Sequence, residues 1–116
     1  MMTQTTPILW AIGGHDNTGR AGVSADAQVA QALSVHLCPI VTIVTAQTDN
    51  TARILSEISV EHLIEQCASA LALGTPSAIK VGAITGPQMR ALAHWLHAKG
   101  LDHTPLIWDP ITHSST

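Results

Sequence analysis

The residues with the clearest chemical potential lie in a glycine-rich segment near the amino terminus. Residues 13–22 read Gly-Gly-His-Asp-Asn-Thr-Gly-Arg-Ala-Gly and follow the apolar run from Pro7 to Ile12. Glycines let a backbone turn sharply and come close to a ligand, and a helix that starts after such a turn directs free N–H groups towards that ligand. The segment therefore predicts a binding loop between a first strand and a first helix.

Two common phosphate-binding patterns do not fit this segment. A Walker A loop requires Lys and then Ser or Thr after its last glycine, whereas Arg20 and Ala21 follow Gly19. The dinucleotide fingerprint G-x-G-x-x-G requires a spacing that the glycines at positions 14, 19 and 22 do not have. An unrelated small nucleotide-binding domain of the doubly wound type stays open as a third interpretation.

The elements that would position this loop follow from apolar runs that alternate with helical periodicity. The apolar runs predict four strands, at residues 7–13, 39–46, 77–82 and 104–109. The periodic segments predict three helices, at residues 23–34, 59–74 and 86–100. Strands that alternate with helices form a parallel sheet covered on both faces. The predicted fold class is α/β, with three αβα layers and a Rossmann-like, mainly parallel sheet.

Four suggestive segments follow the carboxyl ends of different predicted strands. They are residues 14–22, residue Gln47, residues 82–83 and residues 109–110. In an open parallel sheet those strand ends share one edge, and ligands bind in the crevice beyond it. Each segment alone is explained by the needs of turns and helix caps. Their common position is what predicts a binding site.

Composition and charge limit the classes of partner. The 116 residues, of which 46% are hydrophobic and 11% charged, predict one packed domain over residues 1–116. The net charge is −3 and the Lys and Arg residues are scattered, so nucleic acid is not expected as a partner. No apolar run approaches the roughly 20 residues of a membrane helix, and no signal-peptide pattern opens the chain. No membrane association and a cytoplasmic location are expected.

The cysteines and histidines do not form a recognisable reactive or metal-binding motif. Cys38 and Cys67 are isolated, and we interpret them as small buried apolar residues. His94 and His97 lie three residues apart on a predicted helix but lack a third ligand in the spacing that zinc motifs use. No metal site is predicted.

The glycine-rich segment, extended to Asp26, resembles the opening motif of the hydroxymethylpyrimidine and phosphomethylpyrimidine kinases, G-S/T-D-P-S-G-G-A-G-I-Q-A-D. The matching positions are Gly14, Asp16, Gly19, Ala21, Gly22, Ala25 and Asp26. Three later segments match in the family's order: residues 44–47 resemble L-T-A-Q-N, residues 79–82 resemble A-V-K-I-G-M, and residues 107–111 resemble V-V-L-D-P-V. The resemblance implies a ribokinase-like fold, of which this chain corresponds to the amino-terminal half.

The resemblance also implies a site for an aminopyrimidine at the strand-end edge. Asp26 and Gln47 match residues that hydrogen-bond the amino group and a ring nitrogen, as a carboxylate and an amide can do. The implied substrate-binding residues are Gly14, Asp26, Thr45, Gln47, Ala83 and Ile111. Lys80 and Asp109 match residues near the phosphate side.

Several residues depart from the family pattern, and they leave the identity of the substrate open. His15, Asn17, Arg20, Ser24 and Ala83 stand where the family usually has a small hydroxyl residue, proline, glycine, glutamine and methionine. An arginine at position 20 would be strained if the loop needs a positive φ there, so a loop of different shape is expected.

The implied activity is the ATP-dependent phosphorylation of a pyrimidine in thiamine biosynthesis, with ATP and Mg²⁺ as cofactors of the full-length family. In this superfamily the anion hole and the catalytic base come from a carboxyl-terminal half to which nothing in this sequence corresponds. The catalytic residues are therefore expected outside residues 1–116, and the domain is expected to be incomplete at its carboxyl end. Half a sheet leaves an unpaired edge, so a homo-oligomer or a separate carboxyl-terminal half is the expected partner. The alternative is a non-catalytic pyrimidine-binding or assembly module.

Overall fold

The computed structural model describes residues 6–109. Within that range the strands are β1 (Ile8–Asp16), β2 (His36–Gln47), β3 (Ala52–Glu57), β4 (Ala78–Val81) and β5 (Leu106–Trp108). The helices are α1 (Gly22–Ala32), α2 (Val60–Leu73) and α3 (Gly86–Ala98). The strands form one sheet in the order β3-β2-β1-β4-β5.

The sheet is mainly parallel, as the sequence predicts. β1 pairs in parallel with both β2 and β4, and β4 pairs in parallel with β5. The register between β1 and β2 shifts between Gly13 and His15, and such a bulge redirects the side chains that follow it. The four predicted strands and three predicted helices are confirmed, so the α/β class is correct.

The sequence did not predict β3, which pairs antiparallel with the last residues of β2. The sequence Ala-Arg-Ile-Leu-Ser-Glu has neither the polar–apolar alternation nor the continuous apolar run that marks a strand, and all six residues are exposed in the structure. The strand forms because the turn at residues 48–51 folds it back onto β2. In that turn the backbone N–H of Thr48 donates to the carbonyl oxygen of Thr51 over 2.9 Å.

The three layers follow from which face of each strand is apolar. α1 packs against β1 and β2 on one face, and α2 and α3 cover the other. The core between the sheet and these two helices includes Trp10 and Ile12 of β1, Ile79 and Val81 of β4, Leu63 and Cys67 of α2, and Leu92 and Leu96 of α3. Leu63 and Leu92 are fully buried, and burying one leucine contributes about 1.5–3 kcal/mol.

Local caps set where the two covering helices begin. The Ser59 hydroxyl accepts a hydrogen bond from the backbone N–H of His62 at the start of α2. At the start of α3, Thr85 and Gln88 form a reciprocal capping box, and Pro87 lies in the first turn. These caps fix the two helices whose packing holds β1 and β4 in place. Of the helices between residues 6 and 109, none combines the length and apolar character that crossing a bilayer requires.

Candidate functional site

The carboxyl ends of the parallel strands lie at one edge of the sheet. Asp16 at the end of β1 pairs with Thr45 near the end of β2. The backbone N–H of Gly82, just after β4, donates to Ile12 over 2.8 Å, and that of Asp109, just after β5, donates to Val81 over 2.8 Å. Residues 14–22, Gln47, residues 82–83 and Asp109 therefore lie at the ends of their strands or just after them, at this edge. Pro110 lies outside the described residues.

Asp16 organises the glycine-rich loop, residues 14–22, from inside. Its carboxylate accepts hydrogen bonds from the backbone N–H and hydroxyl of Thr18, each over 2.8 Å, and from the N–H groups of Arg20 and Ala21 over 3.2 and 2.9 Å. These bonds, led by the Thr18 N–H, hold the pKa of Asp16 below its usual value, although desolvation opposes them. The N–H groups of Arg20 and Ala21 are thus bonded to Asp16.

Two glycines permit the loop to fold back on β1. Gly22 has a φ of 65°, and a Cβ added to it would lie 2.2 Å from the carbonyl oxygen of Gly14. A Cβ on Gly14 would lie 3.1 Å from the side chain of Ile43. Gly14 thus lies in close contact with β2, and its predicted role in the approach of a ligand stays a prediction.

Arg20 adopts an ordinary backbone conformation. Among the non-glycine residues of the described range, only Ser34 has a positive φ, and within the loop the positive φ values belong to Gly19 and Gly22. The loop thus has a shape in which arginine at position 20 is unstrained.

Two contacts join the loop to the end of β2 and to the turn that follows it. The Asn17 side-chain oxygen accepts a hydrogen bond from the backbone N–H of Gln47 over 2.7 Å. The Arg20 guanidinium pairs with the Asp49 carboxylate, and both side chains are highly exposed, so this pair adds about 0–1 kcal/mol. In the sequence, Asn17 stands out only as a departure from the proline that is usual in the family. The available signal was the tendency of loop asparagines to bond backbone groups.

Thr45 and Gln47 are linked to each other and to β1. The Thr45 hydroxyl donates to the carbonyl oxygen of His15 over 2.8 Å, and the Gln47 Nε2 donates to the Thr45 Oγ1 over 2.9 Å. Thr45 is buried, whereas Gln47 is half-buried. Gln47 therefore offers polar atoms at the edge of the sheet from a position that neighbouring residues hold in place.

Asp26 and Gln47 bond different partners. The Lys80 Nζ lies 2.5 Å from the Asp26 Oδ1, in a half-buried ion pair between β4 and α1. Lys80 aligns with Ala11 on β1, and Thr45 aligns with Asp16, five residues further along the strand. At about 3.3 Å per residue, the backbone positions of Ala11 and Asp16 are about 16.5 Å apart along β1. Asp26 is thus bonded to Lys80 and Gln47 to Thr45, and the joint binding of one ring by Asp26 and Gln47 stays a prediction.

Of the remaining predicted site residues, Ala83 and Asp109 lie at the same edge in different settings. The carbonyl oxygen of Ala83 accepts a hydrogen bond from the Thr42 hydroxyl over 2.6 Å, which fixes the segment after β4 against β2. Asp109 is exposed after β5. Ile111 lies outside the described residues. No cluster of three or more histidine, cysteine, aspartate or glutamate side chains suited to a metal ion is found between residues 6 and 109.

The two cysteines are buried thiols. Cys67 is fully buried on α2, and desolvation raises the pKa of its thiol to about 12. Burial also raises the pKa of Cys38 on β2. Both thiols therefore stay protonated near neutral pH, in line with their interpretation as apolar core residues.

Comparison with known sequences adds evidence independent of this geometry. The family model described as phosphomethylpyrimidine kinase matches residues 16–116. A hydroxymethylpyrimidine/phosphomethylpyrimidine kinase from Mycobacterium leprae (strain TN) is 33% identical over 111 residues, which cover 92% of this chain and 39% of that protein. A bifunctional thiamine biosynthesis protein from Methanocaldococcus jannaschii is 28% identical over 94% of this chain and 25% of its own length. The chain thus spans well under half of these relatives.

Comparison with solved structures shows the same fold. A phosphomethylpyrimidine kinase from Clostridium difficile 630 aligns with a TM-score of 0.78 and 23% identity, over 96% of this chain and 47% of that one. A Bacillus subtilis pyridoxal kinase aligns with a TM-score of 0.82 and 22% identity, over 97% and 42%. The expected ribokinase-like αβα architecture is confirmed. At these identities the likeness concerns the fold alone.

Proposed function

Because the chain belongs to the phosphomethylpyrimidine kinase family, we propose that it forms the pyrimidine-binding part of an ATP-dependent hydroxymethylpyrimidine/phosphomethylpyrimidine kinase of thiamine biosynthesis. The observation that carries this proposal is the position of Thr45 and Gln47. They belong to one of the segments that resemble the family, and they present a fixed amide at the edge where ligands of parallel sheets bind.

The proposed ligand is a 4-aminopyrimidine with a hydroxymethyl group. Gln47 offers a carbonyl oxygen to the amino group and an N–H to the adjacent ring nitrogen, which together satisfy that edge of the ring. Gly14, Ala83 and Ile111 would line the ring, and Asp26 would add a carboxylate. Lys80 holds Asp26 in an ion pair. The Asp26 carboxylate would therefore bind the ligand either after it turns away from Lys80 or with the oxygen that Lys80 leaves free.

Lys80 and Asp109 are proposed for the phosphate side. The positive charge of Lys80 is balanced by Asp26, so a phosphate there would compete with the carboxylate for the same ammonium group. Asp109 lies exposed at the same edge, after β5.

Phosphoryl transfer would need groups that the described residues do not supply. ATP is the proposed phosphoryl donor, with Mg²⁺ to neutralise its phosphates. The side chains of residues 6–109 do not fit a metal site, so no step through Mg²⁺ is derived for them. What this chain does is bind and orient the pyrimidine, and the base and anion-stabilising groups would come from elsewhere. A cytoplasmic location also stays a prediction.

A polypeptide that covers β5 is the proposed partner. Within residues 6–109, β5 is the last strand of the sheet on its side. Its residues Leu106, Ile107 and Trp108 are 44%, 60% and 55% exposed, so both of its faces present apolar side chains to solvent. Contiguous apolar surface of this kind marks an interface. A second copy of this chain or a separate carboxyl-terminal half of the family fold would bury it. Light scattering at high micromolar concentration, for the chain alone and for Trp108→Lys, tests the first of these: a strictly monomeric wild type would exclude the second copy.

Isothermal titration calorimetry tests the proposed ligand. The wild-type chain and the variants Gln47→Ala and Asp26→Asn are each titrated with 4-amino-5-hydroxymethyl-2-methylpyrimidine. The control variant is Gln31→Ala, because Gln31 is an exposed residue of α1. Binding by the wild type and by Gln31→Ala, with loss of heat in Gln47→Ala, is the expected result. Equal heats for the wild type and Gln47→Ala would contradict the site. An ATP-consumption assay with the same pyrimidine separates a kinase from the non-catalytic alternative.

A further inference from the structure

Two consecutive hydrogen bonds determine which way the side-chain amide of Gln47 points. The Thr45 Oγ1 lies 2.8 Å from the carbonyl oxygen of His15 and 2.9 Å from the nitrogen of the Gln47 amide. A hydroxyl has a single hydrogen, and a backbone carbonyl oxygen can only accept. The Thr45 hydroxyl therefore donates to His15 and must accept from Gln47. If the amide were reversed, the Gln47 Oε1 and the His15 carbonyl oxygen would both need the single hydrogen of the Thr45 hydroxyl.

The backbone of Gln47 is held by the same loop. Its N–H donates to the Asn17 side chain over 2.7 Å, so both its main chain and, through Thr45, its side chain are tied to residues 15–17. Thr45 is only 7% exposed, so water does not readily replace the hydroxyl in this relay. Gln47 thus keeps its Oε1 and one Nε2 hydrogen available, in a fixed arrangement.

We propose that Thr45 is a positioning residue that makes the site selective for a 4-aminopyrimidine over the matching pyrimidin-4-one. This inference rests on the proposed function, because it places the ligand against Gln47. An aminopyrimidine presents a donor beside an acceptor, which complements the fixed amide. A pyrimidin-4-one presents a carbonyl oxygen beside a ring N–H. In the same pose its carbonyl oxygen faces the Gln47 Oε1 and its ring N–H faces the Gln47 Nε2 hydrogen, so neither hydrogen bond forms. It binds well only if the amide reverses, which breaks the bond to Thr45.

The test compares two ligands against variants of Thr45. Affinities for 4-amino-5-hydroxymethyl-2-methylpyrimidine and its 4-oxo counterpart are measured by calorimetry. In Thr45→Val, which keeps the shape but lacks the hydroxyl, the preference for the amino compound is expected to fall about tenfold, the equivalent of one hydrogen bond. Thr45→Ser restores the hydroxyl and should restore the preference. Thr104→Val, away from the sheet edge, should leave it unchanged.

The outcomes separate this inference from the proposed function. Unchanged preference in Thr45→Val, with both ligands still bound, would overturn the role of Thr45 alone. Failure of the wild type to bind either pyrimidine would overturn the proposed function and the selectivity with it. If Thr45→Val does not fold, nuclear magnetic resonance on the wild type decides the matter. The Gln47 side-chain amide hydrogens should exchange with solvent more slowly than those of exposed Gln31, and equal rates would contradict the relay.

Discussion

Replacement of Gly22 by alanine tests how the glycine-rich loop is built. Gly22 has a φ of 65°, and an added Cβ would lie 2.2 Å from the carbonyl oxygen of Gly14. Real Cβ atoms essentially never come within 3.0 Å of such an atom, so the two backbone segments must separate by about 0.8 Å. That separation strains the bridge between His15 and Gly22 and the hydrogen bonds that Asp16 makes within the loop.

The expected loss of stability has two parts. A non-glycine residue in the left-handed region loses about 1–2 kcal/mol, and overpacking in a tight site adds about 1–3 kcal/mol. Gly22→Ala should therefore lower the free energy of unfolding by about 2–5 kcal/mol. Gly100 provides the matched control, because its φ is 71° but no atom lies within 4 Å of an added Cβ. Gly100→Ala should show only the conformational part, about 1–2 kcal/mol.

Urea unfolding followed by far-ultraviolet circular dichroism measures both variants. For a domain of this size, 1 kcal/mol corresponds to about 4 °C in Tm, so thermal unfolding should agree with the urea result. Gly22→Ala is expected to lose clearly more stability than Gly100→Ala. An equal loss in the two variants would refute the close approach of Gly22 to Gly14, and with it the loop geometry described here.

Three further predictions concern other parts of the structure. In a double-mutant cycle, Lys80→Met and Asp26→Asn should show a coupling of about 1 kcal/mol in the free energy of unfolding, because the two side chains are half-buried and paired; additive effects would mean that the pair contributes nothing. Because the pKa of Asp16 is lower in the folded state than its unfolded value of 3.8, the ionised carboxylate stabilises the fold at pH values above 3.8, and this contribution is lost as the pH falls through the folded pKa. The difference in the free energy of unfolding between the wild type and Asp16→Asn should therefore narrow in that acidic range. A difference that does not change with pH would contradict the lowered pKa of Asp16. Because burial raises the pKa of the Cys67 thiol to about 12, Cys67 should resist alkylation by iodoacetamide in the native protein at neutral pH and should react after unfolding in urea. Mass spectrometry locates the label, and rapid labelling of Cys67 in the native protein would show that this thiol is not buried.

The sequence was most informative where structure depends on local signals. Ser59 caps α2 and the Gly86-Pro87 pair opens α3, because capping and helix initiation act over three or four residues. The parallel orientation of β1, β2 and β4 also followed from the alternation of strands and helices along the sequence. β3 could not be predicted in this way, since its six exposed residues become a strand only through pairing with β2.

The sequence indicates at which edge of the sheet the candidate site residues lie, but it does not indicate which side chains they contact. Gly14, Thr45, Gln47 and Ala83 were placed at one edge because parallel strands end together. The Lys80–Asp26 pair joins residues 54 apart in the chain, and no spacing rule indicates that such a pair forms. The bond between Asn17 and Gln47 likewise depends on the folded path of the loop. Contacts of this kind come from tertiary packing, which a single sequence does not display.

Chemical-shift mapping with 4-amino-5-hydroxymethyl-2-methylpyrimidine tests the central claim most directly. The backbone and side-chain amide signals of the ¹⁵N-labelled chain are followed during titration with the compound. Saturable shifts concentrated in residues 14–22, 45–47 and 82–83 are predicted, with the Gln47 side-chain amide among the largest. The absence of saturable shifts, or shifts confined to the opposite end of the sheet near His36 and Leu73, would contradict a pyrimidine site at the carboxyl ends of the strands.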